Sequence, residues 1–301
     1  MAWVIGYTFQ MISYGVAAHG GVGTPEDLSD GCKAACEAAF LMLEAGRNAL
    51  EAAIEAARIL EDDGRYNAGS GSALRIDGKT IEMDAAVMDS EGNIGAVMNI
   101  REVKNPVLVA QAVLGTPHVA MAGRGAEAFA RKLGFEAYYK VSKRALENFK
   151  KTKKTLKEGD TFWEFYLDDI SEQKIPGPDT IGAVVMDGNG LFATAVSTGG
   201  ASPMMVGRVG DTPMPGCGFY AGPRGAIAVT GVGEESIRKM LAKTVYDMVA
   251  ENMDAQAACE KGLRPFAGQK RIKMGILALT KQGCGLAATD PMAQYRMIKQ
   301  A

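Results

Sequence analysis

The sequence predicts an α+β protein in which two packed sheets carry helices on their outer faces. Two observations lead there. From about Asp27 to Leu60 an Ala-, Leu- and Glu-rich stretch repeats its apolar positions at three and four residues, the period of a helix. Elsewhere, in both halves of the chain, short strand-like runs come in pairs joined by tight turns. Strands this apolar need both sheet faces covered, which helices outside two stacked sheets provide. The order of elements is not that of a Rossmann unit.

The opening, MAWVIGYTFQMISYGVAAHGG, lacks the basic start of a secretory signal and reads as the lead-in to a first strand. The chain turns helical after His19-Gly20-Gly21, and Gly46 divides that stretch into two helices. DDGRYNAGSG, residues 62–71, is a loop by composition. Strands are expected over Lys79–Asp89 and Ile94–Ile100 around the turn SEGN, and helices over Pro106–Leu114 and Gly125–Leu133. Residues 140–158 are basic and residues 160–172 acidic, ending in Pro176-Gly177-Pro178. Without aromatic interleaving or a binding motif, the basic run reads as a solvated, partly helical connector between two halves of one domain, not as a nucleic-acid patch. The second half opens at Thr180 with the strand TIGAVVMD, the turn DGNG and the strand LFATAVSTGG. Then come the strand GAIAVTG, one amphipathic helix GEESIRKMLAKTVYDMV, a helix near Asp254–Lys261, and the strands MGILALT and CGLAATD around a KQG turn.

The 301 residues suffice for a well-buried core. A net charge of −2 gives no general attraction to nucleic acid or anionic membrane. No window of about 18–20 residues is apolar enough to span a bilayer, so a cytoplasmic protein is expected. The cysteines, Cys32, Cys36, Cys217, Cys259 and Cys284, are odd in number and irregular in spacing, which argues for buried reduced thiols over a disulfide framework. Cys32 and Cys36, one helical turn apart, have no further metal ligand adjacent in sequence.

Only His19 and His118 could serve a histidine-based mechanism, and neither lies in a nucleophile-elbow motif. HExxH, CxxC and P-loop patterns are absent from the sequence. A threonine at a newly cut chain end needs no histidine, because its own α-amine, with a pKa of roughly 7.7–8.0, can take the hydroxyl proton. Thr180 follows a proline-bounded connector and heads a strand. Taken locally it is either such a nucleophile or an ordinary β-branched strand starter.

The wider context separates these readings. GPDTIGAVVMDGNGLFATAVSTGG, GRVGDTPMPGCGFY and GAIAVTGVGEESIR, with HGGVG (19–23), LEDDGRYNAGSGSAL (60–74), EMDAAVMD (82–89), VKNPVLVAQAVL (103–114) and TPHVAMAGRGAEAFA (116–130), closely resemble the plant-type asparaginase and isoaspartyl-peptidase family, related to glycosylasparaginases. The likeness runs from about residue 15 to the C-terminus and fails only over the connector 137–177. It implies the four-layer αββα sandwich of N-terminal-nucleophile hydrolases. It implies cleavage between Asp179 and Thr180 into an α subunit (1–179) and a β subunit (180–301), assembled as an (αβ)2 heterotetramer.

By the same resemblance Thr180 is the nucleophile and Thr198 a second threonine whose hydroxyl orients it. Arg208 and Asp211 hold a small substrate's α-carboxylate and α-amine, chemistry that suits a bidentate guanidinium and an anionic acceptor. Thr230 and Gly231 form the oxyanion hole, whose donors are worth roughly 3–4 kcal/mol each. Gly233 faces the substrate or simply opens a helix, and Asn67 reaches the site from the first half. The loop from Leu60 to about Ser70 is implied to wrap a structural sodium ion with backbone carbonyls, and no catalytic cofactor is expected. The implied reaction is hydrolysis of L-asparagine or β-aspartyl dipeptides. Asp179 departs from the glycine common before the nucleophile in asparaginases and matches glycosylasparaginases, so that activity stays open; a taspase-like protease and a catalytically dead binding scaffold are weaker alternatives.

Overall fold

The computed structural model describes residues 11–155, 180–202, 204–269 and 272–301. Asp179 and the end of the connector lie outside them. In chain order the first half forms β1 (Ile12–Val22), α1 (Ser29–Glu44), α2 (Ala49–Asp63), β2 (Met83–Asp89), β3 (Ile94–Ile100), α3 (Pro106–Val113), β4 (Ala120–Ala122), α4 (Gly123–Lys132) and α5 (Lys143–Thr155). The second half forms β5 (Ile181–Met186), β6 (Phe192–Thr198), β7 (Phe219–Gly222), β8 (Gly225–Gly231), α6 (Gly233–Lys239), α7 (Leu241–Ala250), α8 (Ala255–Leu263), β9 (Met274–Thr280), β10 (Gly283–Ala288) and β11 (Met292–Gln300).

Two sheets are stacked. The larger has the order β11-β1-β5-β6-β2-β3-β4 and is antiparallel except between β3 and β4. The smaller, β10-β9-β8-β7, is antiparallel throughout. Alternating side chains divide three apolar layers. Ile181, Ala183 and Val185 of β5 face the layer shared with α1–α4, while Val184 and Met186 face the layer between the sheets. On the smaller sheet Ala226 and Ala228 point into that middle layer, and Ile227 and Val229 point at α7 and α8. Helices therefore cover both outer faces of a sheet pair, the expected αββα arrangement. The halves are not side by side, however: β1 of the first half lies between β11 and β5 of the second.

Most boundaries fall near their sequence positions. Gly46, at φ +77°, separates α1 from α2, and the side chains of Asn48 and Asp254 cap the first turns of α2 and α8. Alanine and cysteine fill most of the fully buried positions of α1 and α2, beside Leu60 and Glu61, which lets the helices approach closely. Three short or edge strands, β4, β7 and β11, were not legible from periodicity; β11 alternates exposed polar residues along the sheet edge. The single helix expected over GEESIRKMLAKTVYDMV is two, broken at Met240 with φ +45°. The cause is tertiary. The amides of Ala242 and Lys243 donate to the carbonyls of Cys217 and Gly216 at 3.2 and 2.9 Å, outside the helix ladder.

Glu61, in the last turn of α2, reaches α3 and accepts the Val107 N–H at 3.0 Å. Complete burial raises its carboxyl from 4.5 to about 8. The folded chain then holds a proton that the unfolded chain releases, so stability falls as pH rises through that window. Glu61→Gln keeps an acceptor for Val107 without a titrating proton. Thermal unfolding of both proteins across this range should show a flatter pH dependence for the variant; parallel curves would reject the buried acid.

Candidate active site

Thr180 is 4% exposed and heads β5 between β1 and β6. The β5–β6 register pairs Ile181 with Ser197, so one residue further Thr180 stands opposite Thr198, the last residue of β6. Thr198 is buried and its Oγ1 accepts the Gly200 N–H at 3.0 Å. The hydroxyl bonded to Thr180 Oγ1 is that of Thr212, at 3.4 Å.

Across the sheet interface, Gly182 would place a Cβ 3.0 Å from that of Ala228. Gly182 is two residues beyond Thr180 and Ala228 two before Thr230, so the head of β5 faces the tail of β8. Thr230 Oγ1 there accepts the Val22 N–H from the end of β1 at 3.3 Å. Gly231 follows at φ +141°, where a side chain would stand 2.6 Å from Met274 Sδ, so only glycine fits.

The loop between β6 and β7 brings in charge. Arg208 is not paired with Asp211; its Nε and Nη2 form a two-pronged ion pair with Glu234 at 3.0 and 2.8 Å. The Nη1–Nη2 end of the guanidinium remains for a second planar anion. Asp211 is 4% exposed, and its Oδ2 has no hydrogen-bond partner among the described residues. Burial raises its carboxyl to about 6, against the lowering field of Arg208. Gly233 lies against both: a Cβ there would be 2.8 Å from Arg208 Nη2 and 2.9 Å from Asp211 Oδ1. A guanidinium end and a carboxylate with one oxygen unpartnered among the described residues, flanked by glycine, form a receptacle whose charges would complement a small zwitterion.

Asn67 is spent on backbone. Its Nδ2 donates to Gly200 O at 2.5 Å, and its Oδ1 accepts the Ala73 N–H at 2.8 Å. It thereby holds the Thr198-Gly199-Gly200 turn from the first half. Behind it, the carbonyl oxygens of Glu61 and Gly64 lie 2.6 and 2.7 Å from where side chains of Gly69 and Gly71 would begin, and Tyr66 O also crowds Gly71. These oxygens pack against the glycines of the loop expected to wrap a monovalent cation.

Two residues were missed by sequence reasoning, and a third, His19, was weighed there only for a histidine-based mechanism. Thr212 and Glu234 stand in motifs read for their neighbours, and only the fold turns them toward Thr180 and Arg208. His19 is fully buried, and burial lowers its pKa to about 4, so the ring is neutral. It lies beside the Thr180 carbonyl, and its Nε2 fills the space where Gly182 would carry a Cβ. In sequence it is indistinguishable from a core histidine.

Comparison with known proteins places this geometry in context. The profile of the family described as Asparaginase matches residues 11–301. The chain is 42% identical over 297 residues to the plant-type L-asparaginase of Pyrococcus horikoshii, covering 94% of this chain and 96% of that protein. It is 41% identical to the plant-type L-asparaginase of Thermococcus kodakarensis, covering 94% and 96%. To the isoaspartyl peptidase/L-asparaginase of Rattus norvegicus it is 35% identical over 287 residues, covering 90% and 82%. With a match along nearly its whole length, over a sandwich whose buried threonine adjoins a receptacle for a zwitterion, this chain belongs to the Asparaginase family.

Proposed function

We propose that the chain is a precursor that cuts its own Asp179–Thr180 bond and then hydrolyses the side-chain amide of L-asparagine and the isopeptide bond of β-aspartyl dipeptides. One observation carries the reading: Thr212, which touches the Thr180 hydroxyl, is the residue after Asp211, so the receptacle for the amino-acid head adjoins the nucleophile. The names of the relatives point to the same substrates.

In the precursor the Thr180 hydroxyl attacks the Asp179 carbonyl, the acyl group shifts from nitrogen to oxygen, and water hydrolyses the ester. The Thr180 nitrogen becomes a free amine and a base near neutral pH. In turnover the amine takes the hydroxyl proton as Thr180 Oγ1 attacks the substrate carbonyl. Thr198 orients the nucleophile, and Thr230 with Gly231 receives the oxyanion. Ammonia or an amino acid leaves with a proton, and water releases aspartate from the ester. Arg208 grips the α-carboxylate and Asp211 the α-ammonium, against Gly233. A sodium ion on the Leu60–Ser70 carbonyls would rigidify the loop that carries Asn67, and two processed units would associate as (αβ)2.

Intact-mass measurement with a denaturing gel tests the processing step. Fragments of about 19 and about 13 kDa are expected, in proportion to the residues on either side of the cut in a 31.8 kDa chain. Active protein that stays in one piece rejects the mechanism. Side-by-side assays of L-asparagine, β-aspartyl-leucine and a glycosylated asparagine discriminate the substrate, because Asp179 before the nucleophile also suits a glycosylasparaginase. A pH profile checks Asp211. It must be ionised to hold an ammonium, so kcat/KM should fall as pH is lowered through about 6. A profile flat down to about pH 5 would remove Asp211 from that role.

A further inference from the structure

The loop Gly207–Asp211 belongs to the second half, yet its backbone is held by side chains of the first. Glu82 accepts the Gly207 N–H on Oε2 at 2.7 Å. Asn99 donates Nδ2 to Gly207 O at 2.9 Å. Arg75 donates Nη2 to Arg208 O at 3.2 Å, and its Nε pairs with Glu82 Oε2 at 3.1 Å. The Gly210 amide faces the buried Asp84 carboxylate, which also accepts the Asn99 N–H at 2.8 Å. Asn99 itself sits at φ +48° within β3, opposite an irregularity between Met83 and Ala85 of β2. A strand residue keeps a left-handed backbone only where its surroundings over-determine it.

The loop needs such support. Glycines at 207 and 210 bracket Arg208, and Gly207 has φ +89°, so the local chain does little to fix the guanidinium. The ion pair beneath it is deeply buried: the Arg75 and Glu82 side chains are 1% and 3% exposed. Buried ion pairs are costly to desolvate and often add little to stability, so one aimed at a binding loop calls for another explanation.

We propose that Arg75, Glu82 and Asn99 are positioning residues that set the place of Arg208, and through it the affinity for the substrate's α-carboxylate, without touching substrate. The inference rests on the functional reading above. A displacement of Arg208 by a fraction of an ångström weakens a two-pronged contact while leaving the chemistry at Thr180 alone.

The test compares wild type, Asn99→Gly and Arg75→Lys after processing, with L-asparagine and β-aspartyl-leucine as substrates and thermal unfolding alongside. Asn99→Gly removes the amide but suits the positive φ, so it preserves the fold. Each variant should raise KM about five- to tenfold with kcat within about twofold, and should still yield two fragments. Unchanged KM in the folded variants overturns the inference, as does a kcat that falls together with the unfolding temperature while KM holds. Should Arg75→Lys not fold, Asn99→Gly decides alone. If wild type cleaves neither substrate, the functional reading fails and the inference with it; an active wild type beside variants of normal KM strikes the inference only.

Discussion

Thr180→Ala is expected to leave a single 31.8 kDa polypeptide without turnover, a fall in activity of at least about 10⁴-fold. Both losses have one cause. In the proposed mechanism the attacking oxygen in the self-cleavage step and in catalysis is the same atom, and the basic amine exists only once the bond before it is broken. Alanine preserves the buried Cβ at the head of β5, so the sheet should form and the unfolding temperature should change little. Thr180→Ser keeps the hydroxyl and should still process, at a reduced rate, since the methyl that restricts the side-chain rotamer is gone. A time course by intact mass checks both. Two fragments from the alanine variant would remove Thr180 from the chemistry.

Arg208→Lys should raise KM about 10- to 100-fold while processing continues. The Nε and Nη2 of Arg208 hold Glu234, which leaves the Nη1–Nη2 end for the carboxylate of the proposed substrate. A lysine ammonium is a point charge and cannot present two flat edges. Paired with Glu234, it would meet the substrate at poor geometry, a loss of about 1.4–2.7 kcal/mol in binding. Self-cleavage should be spared, because the Thr180 hydroxyl is bonded to Thr212 and not to Arg208. Steady-state kinetics beside a processing gel measure the two effects separately, and a variant of normal KM would refute the assigned grip.

The order of layers and the ends of β5, β6 and β8 were legible because local patterns specify them. The continuous apolar runs TIGAVVMD and GAIAVTG, buried along their whole length, and the DGNG turn closed by Asp187 all act over a few residues. The break at Met240 was not legible, since carbonyls of residues 216 and 217 decide it from a distant part of the chain. The same holds for β1, an N-terminal strand enclosed between two C-terminal ones.

For the site, local sequence left Thr180 either a nucleophile or a strand starter, and the family resemblance of the motifs around it nominated Thr180, Arg208 and Asp211. Their relations to one another came from tertiary contacts. Sequence would allow Arg208 and Asp211 to pair; in the fold Arg208 turns to Glu234 and Asp211 stays buried with one oxygen unpartnered among the described residues. Sequence sets Thr212 and Thr180 32 residues apart, and the fold brings their hydroxyls to 3.4 Å. Short-range preference is written in neighbouring residues, whereas the free energy that fixes a charge or a hydroxyl depends on which groups surround it once water has been excluded.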